Sequence, residues 1–488
     1  MQTSRKRPAI AQLQPNRRGR RSRAIVAIAT SSLTLFGAAG LATAIGHTAS
    51  ASSSGGLGCR PSTTVEVPQP TQAELDAAGL GDLNLAPDSA RRDLTAAPFS
   101  DSTSVTNPLF PISGLHSAIL NGHVDGKVFH TETTLLPFTR IIEWSPGQCV
   151  RVLTSQYMAF LDGRLQETAI DSYAQADDGS VWYLGESVSD YNFNGLINST
   201  EGTWQAGIDG PFAMIMPSNP QVGDVNRAEN IPGNSFEEVK VTKVDQTFDG
   251  PSGPVSGGIV ARETHQDAAP SDKLFAPGYG EFRSTDGPDV EAMALAAPTD
   301  AIPGRVPDAL VTMSRKADRI FASGLANQRQ WSHAARLAQV MFNNWREFRA
   351  GDVPPRLVKP TNVALRELVA SIAARQRFNT RSTAIDAAYA SNDLQLRYRS
   401  VIKTDLVRFQ LWTWRALLHS TEGAIGGARS DVVTLEWIRD RVAQTLGPVK
   451  LTRIDTLVGE LGVAVDDRNL KAAALTARQL GAVLDRLT

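Results

Sequence analysis

The sequence predicts an α+β multidomain protein. An N-terminal antiparallel all-β module, built as a sandwich, half-barrel or barrel, is followed by an all-α module of helical hairpins in a repeat or bundle. Three observations predict this. Charge is segregated: residues 1–51 hold eight Lys/Arg and no Asp/Glu, residues 52–305 hold 14 basic against 33 acidic side chains, and residues 306–488 hold 27 against 17. The apolar period changes from alternation to helical spacing near Pro303-Gly304. Beyond that point four similar turn segments end at Trp331, Phe378, Ile425 and Leu470, spaced by 47, 47 and 45 residues. Opposite charge on two modules speaks to partners rather than to fold.

Taken in order, residues 1–51 read as a signal peptide. Arg17, Arg18, Arg20, Arg21 and Arg23 precede an apolar run from Ala24 to Ile45, and Ala49-Ser50-Ala51 offers the small residues that signal peptidase needs. Export by the Sec or the Tat route and an extracellular or envelope location are therefore expected. Arg20-Arg21-Ser22-Arg23-Ala24 lacks the apolar pair that usually follows a twin arginine. The run is also long enough to serve as an uncleaved anchor; if it is cleaved, no membrane span is expected in the rest of the chain. The two cysteines, Cys59 and Cys149, fit an oxidising compartment and one disulfide that closes a long loop. The competing reading makes Cys59 a lipidated first residue, but Gly56-Leu57-Gly58 is a poor lipobox. Residues 52–108 are rich in Ser, Gly and Pro and read as a tether or an extended wrap, with one short helix over Thr71–Leu80.

The acidic β domain spans residues 109–300. Strands are expected at Arg140–Trp144, Val150–Phe160, Gln166–Tyr173, Val181–Gly185, Glu238–Phe248 and Gly258–Thr264, with turn chemistry at Ser145-Pro146-Gly147, Asp162-Gly163, Asp177-Asp178-Gly179, Asn194-Gly195 and Asp249-Gly250. Consecutive hairpins imply a meander. After a linker at 301–308, the basic α-helical domain, residues 309–488, reads as four helical hairpins, stacked as a small solenoid or folded into one or two four-helix bundles. Its tryptophans suit a core.

The sharpest local pattern is Asp190-Tyr-Asn192-Phe-Asn194-Gly195-Leu-Ile197-Asn198-Ser-Thr-Glu201. Its oxygens at Asp190, Asn192, Asn194, Asn198 and Glu201 follow the twelve-residue Ca²⁺ loop. The flanking Val181–Gly185 strand instead makes Asn194-Gly195 a hairpin turn, in which the glycine supplies positive φ. Ca²⁺ is the one cofactor the pattern suggests; none other is expected. His116, His123 and His130 fall at intervals of seven, which puts neighbours on opposite faces of a strand and argues against a shared metal. No serine elbow, phosphate loop or zinc-protease motif occurs, and the pairs Asp177/Asp178 and Glu237/Glu238 resemble a solvated acidic face. Arg375, Arg377, Arg381, Arg397 and Arg399 cluster in the helical part, where they suit anionic groups, a solvated surface or the acidic module itself.

Val181-Trp-Tyr-Leu-Gly-Glu186, Ser199-Thr-Glu-Gly-Thr-Trp-Gln-Ala-Gly-Ile-Asp-Gly210, Ile215-Met-Pro217 and Pro220-Gln-Val-Gly-Asp224 resemble a family of exported bacterial proteins of unknown function over about Asn107–Arg283. The helical part, with Asp393–Arg399 and Thr434–Arg441, resembles segments of uncharacterised secreted bacterial proteins. Such relatives imply location and domain limits and bring no site residues.

These readings together predict an exported, non-catalytic cell-envelope or extracellular protein. It would bind a small-molecule, lipid or wall-polymer ligand near Trp182, Tyr183, Trp204 and Phe212. The alternatives are a secreted hydrolase of wall glycans or lipids that uses β-domain carboxylates, and a calcium-dependent adhesion module. Nucleic acid is not an expected partner. The two modules are expected either to dock on each other, through an interface that salt weakens, or to face different partners.

Overall fold

The computed structural model describes residues 63–266 and 269–487. The signal-peptide reading and Cys59 fall outside them, so the expected pairing of Cys59 with Cys149 does too. A short lead-in consists of β1 (Val65–Glu66), α1 (Gln72–Ala77) and β2 (Thr95–Ala96). The main sheet then runs β3 (Ser117–Val124), β4 (Lys127–Ser145), β5 (Gln148–Leu161), β6 (Arg164–Gln175), β7 (Val181–Tyr191), β8 (Ile197–Ser199), β9 (Trp204–Gln205) and β10 (Ala213–Met216). It continues through β11 (Val225–Ile231), β12 (Ser235–Gly250), β13 (Gly253–His265), β14 (Ser271–Ala276), β15 (Gly280–Asp286) and β16 (Asp289–Ala297). The expected strands all fall inside this set.

Tight turns set this sheet. Asp125-Gly126 and Asp162-Gly163 both take positive φ, the geometry of a two-residue hairpin between right-twisted strands. The order is β10-β7-β6-β5-β4-β3-β16-β15-β14-β13-β12-β11, antiparallel throughout, with β8 and β9 also on β7. The sheet rolls until its ends lie together, and the Asn226 side-chain amide on β11 donates to the Met214 carbonyl on β10 at 2.7 Å. Residues from both halves of the sheet, including Val150, Val152, Tyr183, Val241 and Ile259, belong to one hydrophobic cluster. Rolling in this way removes most of the free edge that an open sheet would expose.

The lead-in, expected as a tether or wrap, lies against the rolled sheet. Val67, Ala96, Phe99, Val105, Leu109 and Phe110 enter its core, and Arg92 N donates to Val225 O at 2.8 Å. The short helix starts at a Thr71/Glu74 capping box.

Eight helices follow: α2 (Asp308–Ala322), α3 (Gln328–Phe348), α4 (Pro355–Ala373), α5 (Arg377–Gln395), α6 (Val401–Glu422), α7 (Ile425–Val442), α8 (Pro448–Asp466) and α9 (Leu470–Leu484). The four repeated turns fall at the starts of α3, α5, α7 and α9. Helices α2–α5 form one four-helix group and α6–α9 a second, joined across α5 and α6. Each group has its own core, and each core extends onto the outer face of the sheet. Ile119 and Leu295 join the first; Met158, Phe160, Leu165 and Tyr191 join the second. None of the helices among the described residues is long and apolar enough to cross a membrane.

A buried ionic network links the sheet to the helices. Glu132 on β4 pairs with Arg408 Nε at 3.0 Å and Arg441 Nη1 at 2.5 Å, with no exposed side-chain surface on any of the three. Arg408 also meets Asp393 and Asp405, each at 3.0 Å, and Arg441 Nε donates to Gln156 Oε1 at 2.6 Å. Burial alone would raise the Glu132 carboxyl, but Arg408 and Arg441 hold it well below its ordinary range. Pairs this dry lie beyond the reach of mobile ions, so the salt sensitivity expected of these contacts does not follow from their geometry.

Candidate functional site

Period-two alternation gives β4, β5 and β6 two different jobs. On β5, Gln156, Met158 and Phe160 face the helices, whereas Ser155 and Tyr157 line the interior of the roll. On β4, His130 and Glu132 belong to the helix side, and Thr131 and Thr133 face inward. The interior face therefore comes from the other half of each strand. It encloses a cavity of about 130 Å³.

The apolar and aromatic part of the lining includes Phe110, Leu115, Leu120, Tyr157, Val239 and Phe275. Among the described residues, Asp171, Glu229, Glu237, Glu263, Glu281 and Glu291 bring six carboxyl groups from β6, β11, β12, β13, β15 and β16, and Lys273 on β14 is the one cation in the lining. Lys273 Nζ lies 2.9 Å from Glu263 Oε1 and 3.7 Å from Glu281 Oε2. Thr131 donates to Glu291 at 2.5 Å, and Ser235 donates to Glu229 Oε2. The second oxygen of Glu229, Oε1, is buried and has no hydrogen-bond partner, on a residue only 3% exposed.

Dehydration controls the charge here. Burial pushes Asp171 up to about 7, against hydrogen bonds from Tyr183, Tyr173 and Ser155. Burial likewise raises Glu229 to about 7, opposed by Ser235 and Lys273. Glu263 rises to about 8 through burial and the neighbouring Glu237, and Glu291 to about 8 through burial and Glu281. Lys273 would be lowered by burial, but Glu263, Glu281 and Glu237 hold it well above its ordinary value.

Tyr183 reports the same protonation by geometry. Its hydroxyl lies 2.8 Å from Asp171 Oδ1 and also contacts Glu186 Oε2. A phenol has one proton to donate, so the second contact requires a protonated carboxyl. Burial followed by Glu229 and Asp171 raises Glu186 well above the usual carboxylate range.

Of the four aromatic residues expected at a ligand site, Tyr183 alone reaches the cavity. Trp182, Trp204 and Phe212 are buried packing groups. Phe212 sits edge-on to Trp182 and Trp144, both at 5.1 Å, and Trp204 packs edge-on to Tyr183 at 5.3 Å. The proposed calcium residues lie on the β7–β8 hairpin, with Asp190 opposite Ser199 in the ladder. Asn192 Oδ1 already accepts from Asn194 N at 2.9 Å and Leu196 N at 3.2 Å, so it serves the turn. Asn194 lies beside Gly426 at the start of α7, which turns that part of the loop toward the helices. Among the described residues no group of three His, Cys, Asp or Glu could hold a metal ion. His130 bonds Asn121 Oδ1 at 2.7 Å.

Sequence reasoning missed the carboxyl lining. Glu167 and Asp171, four apart on one strand, share a face by alternation alone, and that spacing was the available signal. No protein-family model matches the chain, and no significant match occurs among curated proteins.

Proposed function

We propose that this chain is an exported, non-catalytic binding protein of the cell envelope or extracellular space, which holds a small ligand inside the rolled sheet. The observation that carries this reading is the cavity inside the roll, lined by aromatic and aliphatic side chains with convergent polar groups, the usual composition of a small-molecule site. Export rests on the N-terminal sequence pattern. The helical part serves as a brace: Arg408 and Arg441 are committed to Glu132, and Arg397 donates to Asp300 O at 3.2 Å and to Ser252 Oγ at 3.1 Å.

The rival reading, a wall-glycan hydrolase, has the carboxyl groups it needs but not the space. A retaining or inverting pair must flank a scissile bond with sugar on both sides. A cavity of about 130 Å³ is comparable to one of about 150 Å³ that admits benzene, so it suits a single small ring or short chain.

Native mass spectrometry of the full chain purified from its exporting host tests the binding reading. A small adduct should be retained, and it should be lost when Ala228→Phe, at a β11 alanine of the lining, fills the cavity. Variant and parent showing the same adduct would place any ligand elsewhere.

A further inference from the structure

The lining has a chemical asymmetry that the binding reading alone does not use. Six carboxyl groups face one ammonium, and Lys273 satisfies two of them, Glu263 and Glu281. Glu291 has Thr131, Asp171 has Tyr183, and Glu237 is hydrogen-bonded with Glu263 beside His265. Glu229 Oε1 is left, buried and without a donor, at the cavity wall. An unmatched carboxyl oxygen in a dry site is costly, and the missing partner is a hydrogen-bond donor. The lining is otherwise largely aliphatic and aromatic: Phe110, Leu120, Tyr157 and Phe275 suit a hydrocarbon body, and the rings suit a cation beside it.

Resting on the reading that the cavity binds a small molecule, we propose that its ligand is a small organic ammonium ion, with its N–H donors on Glu229 and its apolar body against the aromatic and aliphatic side chains of the lining. An ammonium supplies up to three donors and needs no rigid coordination shell, unlike Ca²⁺. It would arrive in an interior where several carboxyls hold protons. The groups that face Glu229 are Asp171 from β6, Tyr183 and Glu186 from β7, Glu237 from β12, Glu263 from β13 and Lys273 from β14. A bound cation favours the ionised forms of the acids among them, so uptake of the ammonium expels protons and strengthens as pH rises.

Calorimetry of the full chain with n-butylammonium and benzylammonium, beside their neutral isosteres n-butanol and benzyl alcohol and with CaCl₂, tests this. The ammonium ions should bind about tenfold or more tightly than the alcohols, with tighter binding at about pH 8.5 than at about pH 6 and proton release seen in buffers of different ionisation enthalpy. Glu229→Gln should remove that preference while leaving the weak alcohol binding unchanged. Glu237→Gln, a second isosteric variant, should reduce the preference less, and it keeps the test alive if the first variant fails to fold. Alcohols that bind as well as the ammonium ions would overturn the ammonium assignment and leave the binding reading standing. Ca²⁺ binding that Glu229→Gln abolishes would reassign the oxygen to a metal. No heat from any probe at any pH would overturn the binding reading itself.

Discussion

Glu132 shows how one side chain ties the sheet to the helices. It has two guanidinium partners and no exposed side-chain surface, so Glu132→Gln would leave two buried guanidiniums, Arg408 and Arg441, with only Asp393 and Asp405 to balance them. Breaking a buried pair from one side costs roughly 3–5 kcal/mol, far more than the net value of an intact pair. We expect a loss of that size in urea unfolding followed by circular dichroism, and a change within about 0.5 kcal/mol, the range of ordinary surface substitutions, would mean that the network contributes little. The residue was not legible as an anchor, because nothing in a sequence says which face of β4 meets a helix 250 or more positions away. The same limit hid Glu229 and Glu237. Acidic residues are plentiful in this half of the chain, and only the curvature of the sheet separates the few that face inward from the many in water.

At the scale of elements, the β7–β8 hairpin decides between a turn and a calcium loop. Gly195 has φ +72°, and a Cβ there would lie 2.5 Å from Ser430 N on α7, so the glycine is required both by the turn and by close approach to the helix. Gly195→Ala should therefore destabilise the chain by more than the roughly 1–2 kcal/mol of a left-handed alanine, read in a thermal melt. Millimolar Ca²⁺ should leave the parent melt unchanged; a rise of several degrees would restore the metal reading. The helical half was legible because each repeat carries its own period and its own turn, as at Trp331 and Phe378. Several strands were not. Asp289–Ala297 is buried on both faces, so its Ala-rich run carries no alternation to separate strand from helix. For the lead-in, a tether and an extended wrap were not separable, because its few apolar anchors, Val67, Phe99 and Val105, are spread over a polar stretch.

For the whole molecule, two sets of carboxyls pull stability in opposite directions with pH. Glu132 is depressed by its arginines, so its contribution is present above the unfolded carboxyl value of about 4.3 and is lost as pH falls through the lower folded value. Asp171 and Glu229, raised to about 7, and Glu263 and Glu291, raised to about 8, act the other way. Their protons stay on in the folded protein after the unfolded chain has released them, so their contribution is full below about pH 4 and disappears as pH rises through 7 and 8. Four groups on the second side outweigh one on the first across the neutral range. The unfolding midpoint should therefore be higher at about pH 5 than at about pH 8.5, with most of the fall complete by the top of that window. A ligand that ionises these groups on binding should recover part of the loss at the alkaline end, because it binds the folded state alone. Differential scanning calorimetry across that range, with and without n-butylammonium, measures both effects. A midpoint that climbs steadily from pH 5 to pH 8.5 would mean that the interior carboxyls are ionised in the folded protein and would overturn the assignment of protons to them.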